Sequence, residues 1–216
     1  MAFQKFFNSV EPLFQKNGKY EKFYPVFEMV ETIFYTSNTV TKAAPHARSF
    51  VDMKRIMTYV VISLIPCILW AFYNTGFQTN LALSNLNSPE LAGWRIWLLQ
   101  LFDISLNPKS IFANMAHGAL YFLPIYITTL VAGGLWEVLF ATTRGHEVNE
   151  GFLVSSMLFS LTLPATTPLW MVALGISFGV VVGKEVFGGT GKNFLNPALT
   201  GRAFLYFAYP AYMSGD

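Results

Sequence analysis

Two segments of this 216-residue chain carry residue types and spacings that could do chemistry. The first is Gly188–Arg202. Three glycines fall within four residues, Gly188, Gly189 and Gly191, where the backbone can take positive φ and come close to a ligand. Asn193 and Asn196 follow, each with two amide donors and one carbonyl acceptor. They are three apart, so they face one way if the chain is helical there. Pro197 suits the first turn of a helix, whose N–H groups can meet a polar ligand. A planar heteroaromatic ligand with carbonyl and imide edges would suit this set. A structural turn between two helices accounts for the same glycines, and both readings stand on sequence alone.

The second segment is Gly133-Gly134-Leu-Trp-Glu137. Glu137 is the only carboxylate in a long apolar stretch, and an ionisable residue inside a membrane span is a functional candidate by default. The glycine pair would let another helix or a flat ligand approach the backbone. The competing reading has Glu137 snorkelling to an interface, with the glycines as helix-packing contacts. His117 reads as a packed or interfacial histidine. Cys67, the one cysteine, reads as a small core residue, since nothing near it in sequence would activate a thiol.

Several chemistries are excluded. Gly191-Lys192 resembles the tail of a P-loop, but Asn193 stands where Ser or Thr is required and Val186 where the first glycine belongs. There is no dinucleotide-binding fingerprint, no Ser/His/Asp nucleophile set and no Cys/His cluster with zinc or iron–sulfur spacing, so no metal site is expected. Any redox chemistry must come from a bound organic cofactor.

The elements that position these segments follow from charge and hydropathy. Hydrophobic residues make up 53% of the chain and charged residues only 12%, about half the share in an average soluble domain. Mean hydropathy is +0.43. This composition excludes disorder, and a single cysteine excludes a disulfide scaffold. A net charge of +2 gives no case for nucleic acid. Of the fourteen Lys/Arg and twelve Asp/Glu, residues 1–55 hold eight and five. Ile56–Pro89, Ser110–Trp136 and the run from Gly151 up to Lys184 hold none. Each is long enough to cross a hydrocarbon core of about 30 Å, which takes about 20 apolar residues.

The expected fold is therefore all-α and polytopic, with about five membrane helices (residues 56–216) behind a cytoplasmic amphipathic arm (residues 1–55). Within the arm, Phe23, Val26, Phe27, Val30, Ile33 and Phe34 recur at helical spacing, with Glu28 and Glu31 near the polar side. The expected spans are Ile56–Tyr73, Ala113–Thr142, Phe152–Leu163, Leu169–Val186 and one beginning at Ala198–Tyr209. Lys54 and Arg55 before the first span place the N-terminus inside. Asn74–Lys109 then lies outside, with the short apolar stretch Trp94–Leu101 in the interface.

An ordered series of motifs carries a resemblance. Phe34-Tyr-Thr, Val51-Asp-Met-Lys-Arg-Ile-Met57 and Tyr121-Phe-Leu-Pro-Ile-Tyr126 begin it. Gly133-Gly-Leu-Trp-Glu-Val-Leu-Phe140 and His146-Glu-Val-Asn-Glu-Gly-Phe152 continue it. Phe178-Gly-Val-Val-Val-Gly-Lys-Glu-Val-Phe-Gly-Gly-Thr-Gly191, Asn193-Phe-Leu-Asn-Pro-Ala-Leu, Gly201-Arg-Ala-Phe204 and Tyr209-Pro-Ala complete it. The series resembles the NqrB family, the B-subunits of bacterial Na+-translocating NADH:quinone oxidoreductases, over essentially the whole chain. The related RnfD proteins are similar more weakly.

The resemblance implies a subunit of a six-subunit inner-membrane complex, a translocase that couples electron transfer to ubiquinone with Na+ export. It implies ten helices in two inverted five-helix repeats, of which this chain would be the first, with the C-terminal half missing and the fragment inactive alone. By the same resemblance, Asn193 and Asn196 match a riboflavin motif. Gly133, Gly134 and Glu137 match a quinone-binding motif, and Glu28 and Glu137 match acidic positions of the sodium pathway. The family's covalent FMN sits on the threonine of Ser-Gly-Ala-Thr, a tetrapeptide absent from this chain. The rival readings are a transporter or channel half without redox chemistry, which five spans and a broken segment also fit, and a purely structural membrane scaffold.

Overall fold

An apolar run inside lipid must satisfy its own backbone hydrogen bonds, so each charge-free stretch folds as helix. The computed structural model describes residues 9–14, 20, 24, 27, 53–86, 93–144 and 151–214. Among these there are helices and no strand. In chain order they are α1 (Met53–Leu86), α2 (Trp94–Leu101), α3 (Ile111–Arg144), α4 (Gly151–Thr162), α5 (Leu169–Val181), α6 (Pro197–Ala208) and α7 (Pro210–Met213). Short 3-10 turns lie at Glu11–Leu13 and Glu185–Phe187. Near the N-terminus, Phe27 is buried and its ring stacks on Phe14 at 4.9 Å. Most of the arm, with Glu28 and Glu31, lies outside the described residues.

The expected all-helical, polytopic class is the observed one. Among the described residues, three helical stretches are long and apolar enough to cross a bilayer: Ile56–Asn85, Ile111–Arg144 and Leu169–Phe187. By contrast, α4 and α6 have 12 residues each. At 1.5 Å per residue each is about 18 Å long, short of a full crossing. Pro164 and Pro168 bound the turn after α4, and Pro197 starts α6.

The first span differs from expectation. It does not end at Tyr73 but runs on to Leu86, through Asn74, Thr75, Gln78, Thr79 and Asn80. Those polar residues read as an exit into water. In the fold two of them are satisfied within the bundle. The Thr79 hydroxyl donates to the Thr75 carbonyl at 2.7 Å, and the fully buried Asn80 binds α3.

Helices α1 and α3 run antiparallel and touch at backbone level. A Cβ added to Gly76 would overlap the Asn114 carbonyl, and one added to Gly118 would overlap that of Phe72. Small residues of this kind set how closely two membrane helices approach. Beside the crossing runs a buried chain of hydrogen bonds. Asn80 Nδ2 donates to Asn114 Oδ1 at 2.8 Å, and Asn114 Nδ2 donates to the Pro108 carbonyl at 2.8 Å. His117 Nδ1 pairs with Asn80 Oδ1 at 2.8 Å. His117 is thus packed inside the bundle, at the end where α1 finishes and α3 starts.

The apolar core lies among α3, α4, α5 and α6, centred on Ile125, Phe159, Val172, Ile176, Ala198 and Leu205. Gly179 meets the Pro197 carbonyl and Gly201 meets that of Gly175, which brings α5 and α6 together. Phe178 stacks on Phe204 at 4.3 Å across the same contact. Outward faces are as apolar as the core: Trp70, Leu135 and Val131 are all exposed. Large apolar patches of this extent face lipid or another protein.

Candidate functional site

The C-terminal ends of α3 and α5 meet at the end of the bundle where α1 begins. On α3, Glu137, Phe140, Ala141 and Arg144 follow at the three- and four-residue steps that share one helix face. The backbone beyond α5 turns through Gly183 and Lys184 into the 3-10 turn Glu185–Phe187. The Lys184 carbonyl accepts from both Phe187 N and Gly189 N at 3.2 Å. Gly188, Gly189 and Gly191 take φ of 108°, 92° and 85°, so the glycines that stood out in sequence supply backbone forms costly for other residues.

Four charges converge here. Lys184 Nζ lies 2.5 Å from Glu137 Oε1 and 3.6 Å from Glu185 Oε1. Arg144 Nη1 donates to Glu185 Oε2 at 2.7 Å, and Nη2 to the Glu185 carbonyl at 2.8 Å. The side chains of Lys184, Glu137 and Glu185 are 7%, 5% and 1% exposed, while Arg144 is one-third exposed and lies over the Phe140 ring. Two cations and two carboxylates sum to zero. That balance is what allows them to be buried, because an unpaired charge away from water is strongly unfavourable.

Glu137 therefore does not snorkel; it points inward and is ion-paired. The two neighbouring glycines differ from each other. A Cβ on Gly133 would lie 2.5 Å from the Phe152 ring and 2.9 Å from Ile176, so Gly133 packs α3 against α4 and α5. At Gly134 the nearest atom would be Phe152 at 3.9 Å, which leaves room.

Asn193 and Asn196 both precede α6, so they do not share a helical face. Asn196 is the N-cap, in extended backbone (φ −80°, ψ 120°), as a residue before proline prefers. Its Oδ1 accepts from Ala198 N at 2.9 Å and Leu199 N at 3.4 Å. Part of the helix N-terminus that could meet a ligand is thus used by the chain's own cap. Asn193 Nδ2 donates to the Leu195 carbonyl at 2.8 Å. Among the described residues, Asn193 Oδ1 and Asn196 Nδ2 remain to bind something else. Between them Phe194 is exposed, with Phe187 edge-on at 4.6 Å. No group of three metal-ligating side chains occurs among the described residues.

Lys184, Glu185 and Arg144 do not stand out as site residues in the sequence, where they read as charges flanking spans. Arg144 and Glu185 are 41 residues apart, and Glu137 and Lys184 are 47 apart, so spacing carries no trace of the contacts. One signal is present: the expected span Leu169–Val186 encloses Lys184 and Glu185, and ionisable residues inside a span require partners.

Residues 40–215 match the NQR2, RnfD, RnfE family. The chain belongs to this family. It is 56% identical over 216 residues to the B-subunit of the Na(+)-translocating NADH-quinone reductase of Chromohalobacter salexigens, covering all of this chain and 52% of that protein. It is 54% identical over 220 residues to the proteins of the same name in Ectopseudomonas mendocina and Pseudomonas paraeruginosa, each covered to 54%. The chain spans about half the length of the curated relatives it matches. In this member of the family, two distant segments become neighbours through one dipeptide: Lys184-Glu185 ties the glycine-rich segment to the Glu137 end of α3.

Proposed function

We propose that this chain is the membrane portion of a B-subunit of Na+-translocating NADH-quinone reductase, in an inner-membrane complex with its N-terminal arm cytoplasmic. In this reading Asn193 and Asn196 would hold riboflavin, the stretch beside Gly134 would take ubiquinone, and the complex would export sodium. One observation supports it beyond the family assignment. Lys184 and Glu185, which open the glycine-rich segment, are ion-paired to α3, so the loop that leads to the asparagines is anchored at the Glu137 end of that helix.

The residues present fit riboflavin. Asn193 Oδ1 can accept from an imide N–H, Asn196 Nδ2 can donate to a ring carbonyl, and exposed Phe194 offers a flat face for stacking. Riboflavin bound there would supply reversible electron transfer. The chain's own contribution is to orient the ring, to keep water from Glu137 and Glu185, and to hold fixed charge close by. Gly134 offers the opening along α3 where a quinone head could lie against the backbone. Gly133 is a packing residue that keeps α4 close. No FMN attachment is proposed on these 216 residues, which lack the Ser-Gly-Ala-Thr motif.

The test is the flavin content of the assembled complex. Asn193→Ala combined with Asn196→Ala should lower extractable riboflavin well below one per complex, while subunit composition stays unchanged. Unaltered riboflavin stoichiometry would sink the assignment. A native complex free of flavin would favour a transporter without redox chemistry. Gly134→Leu should raise the KM for ubiquinone severalfold with little loss of kcat. Wild-type quinone kinetics would show that no quinone lies at Gly134.

A further inference from the structure

Helix α6 packs with one face and leaves the other open. Ala198, Gly201 and Leu205 are buried against α4 and α5. Leu199, Arg202, Ala203, Tyr206 and Phe207, which share the opposite face at three- and four-residue steps, are exposed. Arg202 is the only charge on the helix, and it makes no hydrogen bond or ion pair among the described residues. Its depth is set by α5. A Cβ on Gly201 would meet the Gly175 carbonyl, and one on Gly179 would meet the Pro197 carbonyl and Gly201 N. Gly201 therefore lies between the levels of Gly175 and Gly179, with Arg202 next to it. Both levels belong to the apolar span Leu169–Phe187. At 1.5 Å per residue they are about 9–15 Å from its Leu169 end and about 12–18 Å from its Phe187 end. Arg202 is thus near mid-depth.

A charge at that depth is costly against lipid tails and calls for an anion or a water-filled cavity. Leu199, Tyr206 and Phe207 around the guanidinium are not the wall of such a cavity. The carboxylates of the described spans, Glu137 and Glu185, are already held by Lys184 and Arg144, so the anion comes from beyond these residues. We infer that the Leu199–Phe207 face of α6 is an interface, covered by an apolar membrane helix that carries an aspartate or glutamate at the level of Arg202. A helix is the element that can lie against α6 at this depth with its own backbone satisfied. A carboxylate meets a guanidinium through two parallel hydrogen bonds, and the pair sums to zero charge, as burial requires. Leu199, Tyr206 and Phe207 supply the apolar contact that keeps water from the pair. The interface is independent of the flavin and quinone assignments, which use other residues.

The protein in its native membranes is the material for the test. Arg202→Leu should lower the amount of chain retained in the membrane severalfold, because the partner carboxylate is left buried and unpaired. Arg202→Lys, which keeps the charge, should restore most of it. On a face turned to lipid the same leucine would leave the yield unchanged or raise it, since it removes a charge from the bilayer core; that result overturns the inference. A photoreactive benzophenone side chain in place of Phe207, 82% exposed on the same face, then identifies the occupant by mass spectrometry of the irradiated membranes. The expected adduct is with a membrane-helix peptide that contains Asp or Glu. An adduct with phospholipid, an adduct with a peptide that has no carboxylate, or no adduct at all overturns the inference. Should Arg202→Lys restore nothing, the adduct decides. Should the Phe207 variant not accumulate, Leu199 carries the benzophenone instead and the same outcomes apply.

Discussion

Glu185 is the most deeply buried of the four charges at the end of α3 and α5, and it pairs with both cations of the set. Removing its charge alone leaves Arg144 and Lys184 facing a single carboxylate. Breaking one side of a buried pair typically costs about 3–5 kcal/mol. The one-third exposure of Arg144 reduces that, since water screens it. Glu185→Gln should therefore lower the thermal midpoint of the solubilised complex by several degrees, and an unchanged melt would mean the cluster contributes no stability. The glycines give a second residue-scale contrast. Gly133→Leu should prevent assembly, because its side chain would have to enter the space of Phe152 and Ile176. Gly134→Leu should assemble, and comparing membrane yields of the two variants checks this. Gly133 and Gly134 are indistinguishable in sequence. Only their rotation about α3, about 100° apart at 3.6 residues per turn, decides which one packs and which one opens.

At the scale of elements, the crossing of α1 and α3 rests on Gly76 and Gly118 and on the Asn80–Asn114–His117 chain. Asn80→Leu would leave Asn114 Oδ1 and His117 Nδ1 without their shared partner. An orphaned buried polar group costs about 1–3 kcal/mol, so this variant should assemble poorly or melt earlier than wild type. Asn80→Ser, which keeps some hydrogen bonding, should lie between. Equal stability of Asn80→Leu and wild type would remove the network from the account of this crossing. The bounds of α2, α3 and α4 are legible in the sequence almost to the residue, because charges, prolines and glycines punctuate them. The end of α1 is not. Asn74–Asn80 has the composition of a loop, and only a partner helix bearing Asn114 and His117 makes it favourable as buried helix.

For the whole molecule, an inverted surface marks the environment. Apolar side chains lie outside, while Glu137, Lys184, Glu185, Asn80 and His117 lie inside. Cys67, expected as a small core residue, is instead exposed on α1, within the apolar stretch Ile56–Asn85. In intact membranes a water-soluble maleimide should leave Cys67 unmodified, and the same reagent should label it fully in denaturing detergent. Rapid labelling in membranes, read by intact mass, would place this face of α1 in water.

The solvent, the helical class and the two segments that carry polar chemistry are all legible in the residues without a fold. These are local properties: charge density along the chain, the length of apolar runs, glycine and asparagine spacing. Each is set by the neighbouring residues and by the thickness of a bilayer. The packed bundle is needed to learn that Glu137 is paired rather than snorkelling, that Asn196 caps a helix, and that Lys184, Glu185 and Arg144 join Glu137 in one cluster. Ion pairing in a low-dielectric interior depends on which charges come within a few ångströms. Here that follows from how α3 and α5 end side by side, across more than forty residues of intervening chain.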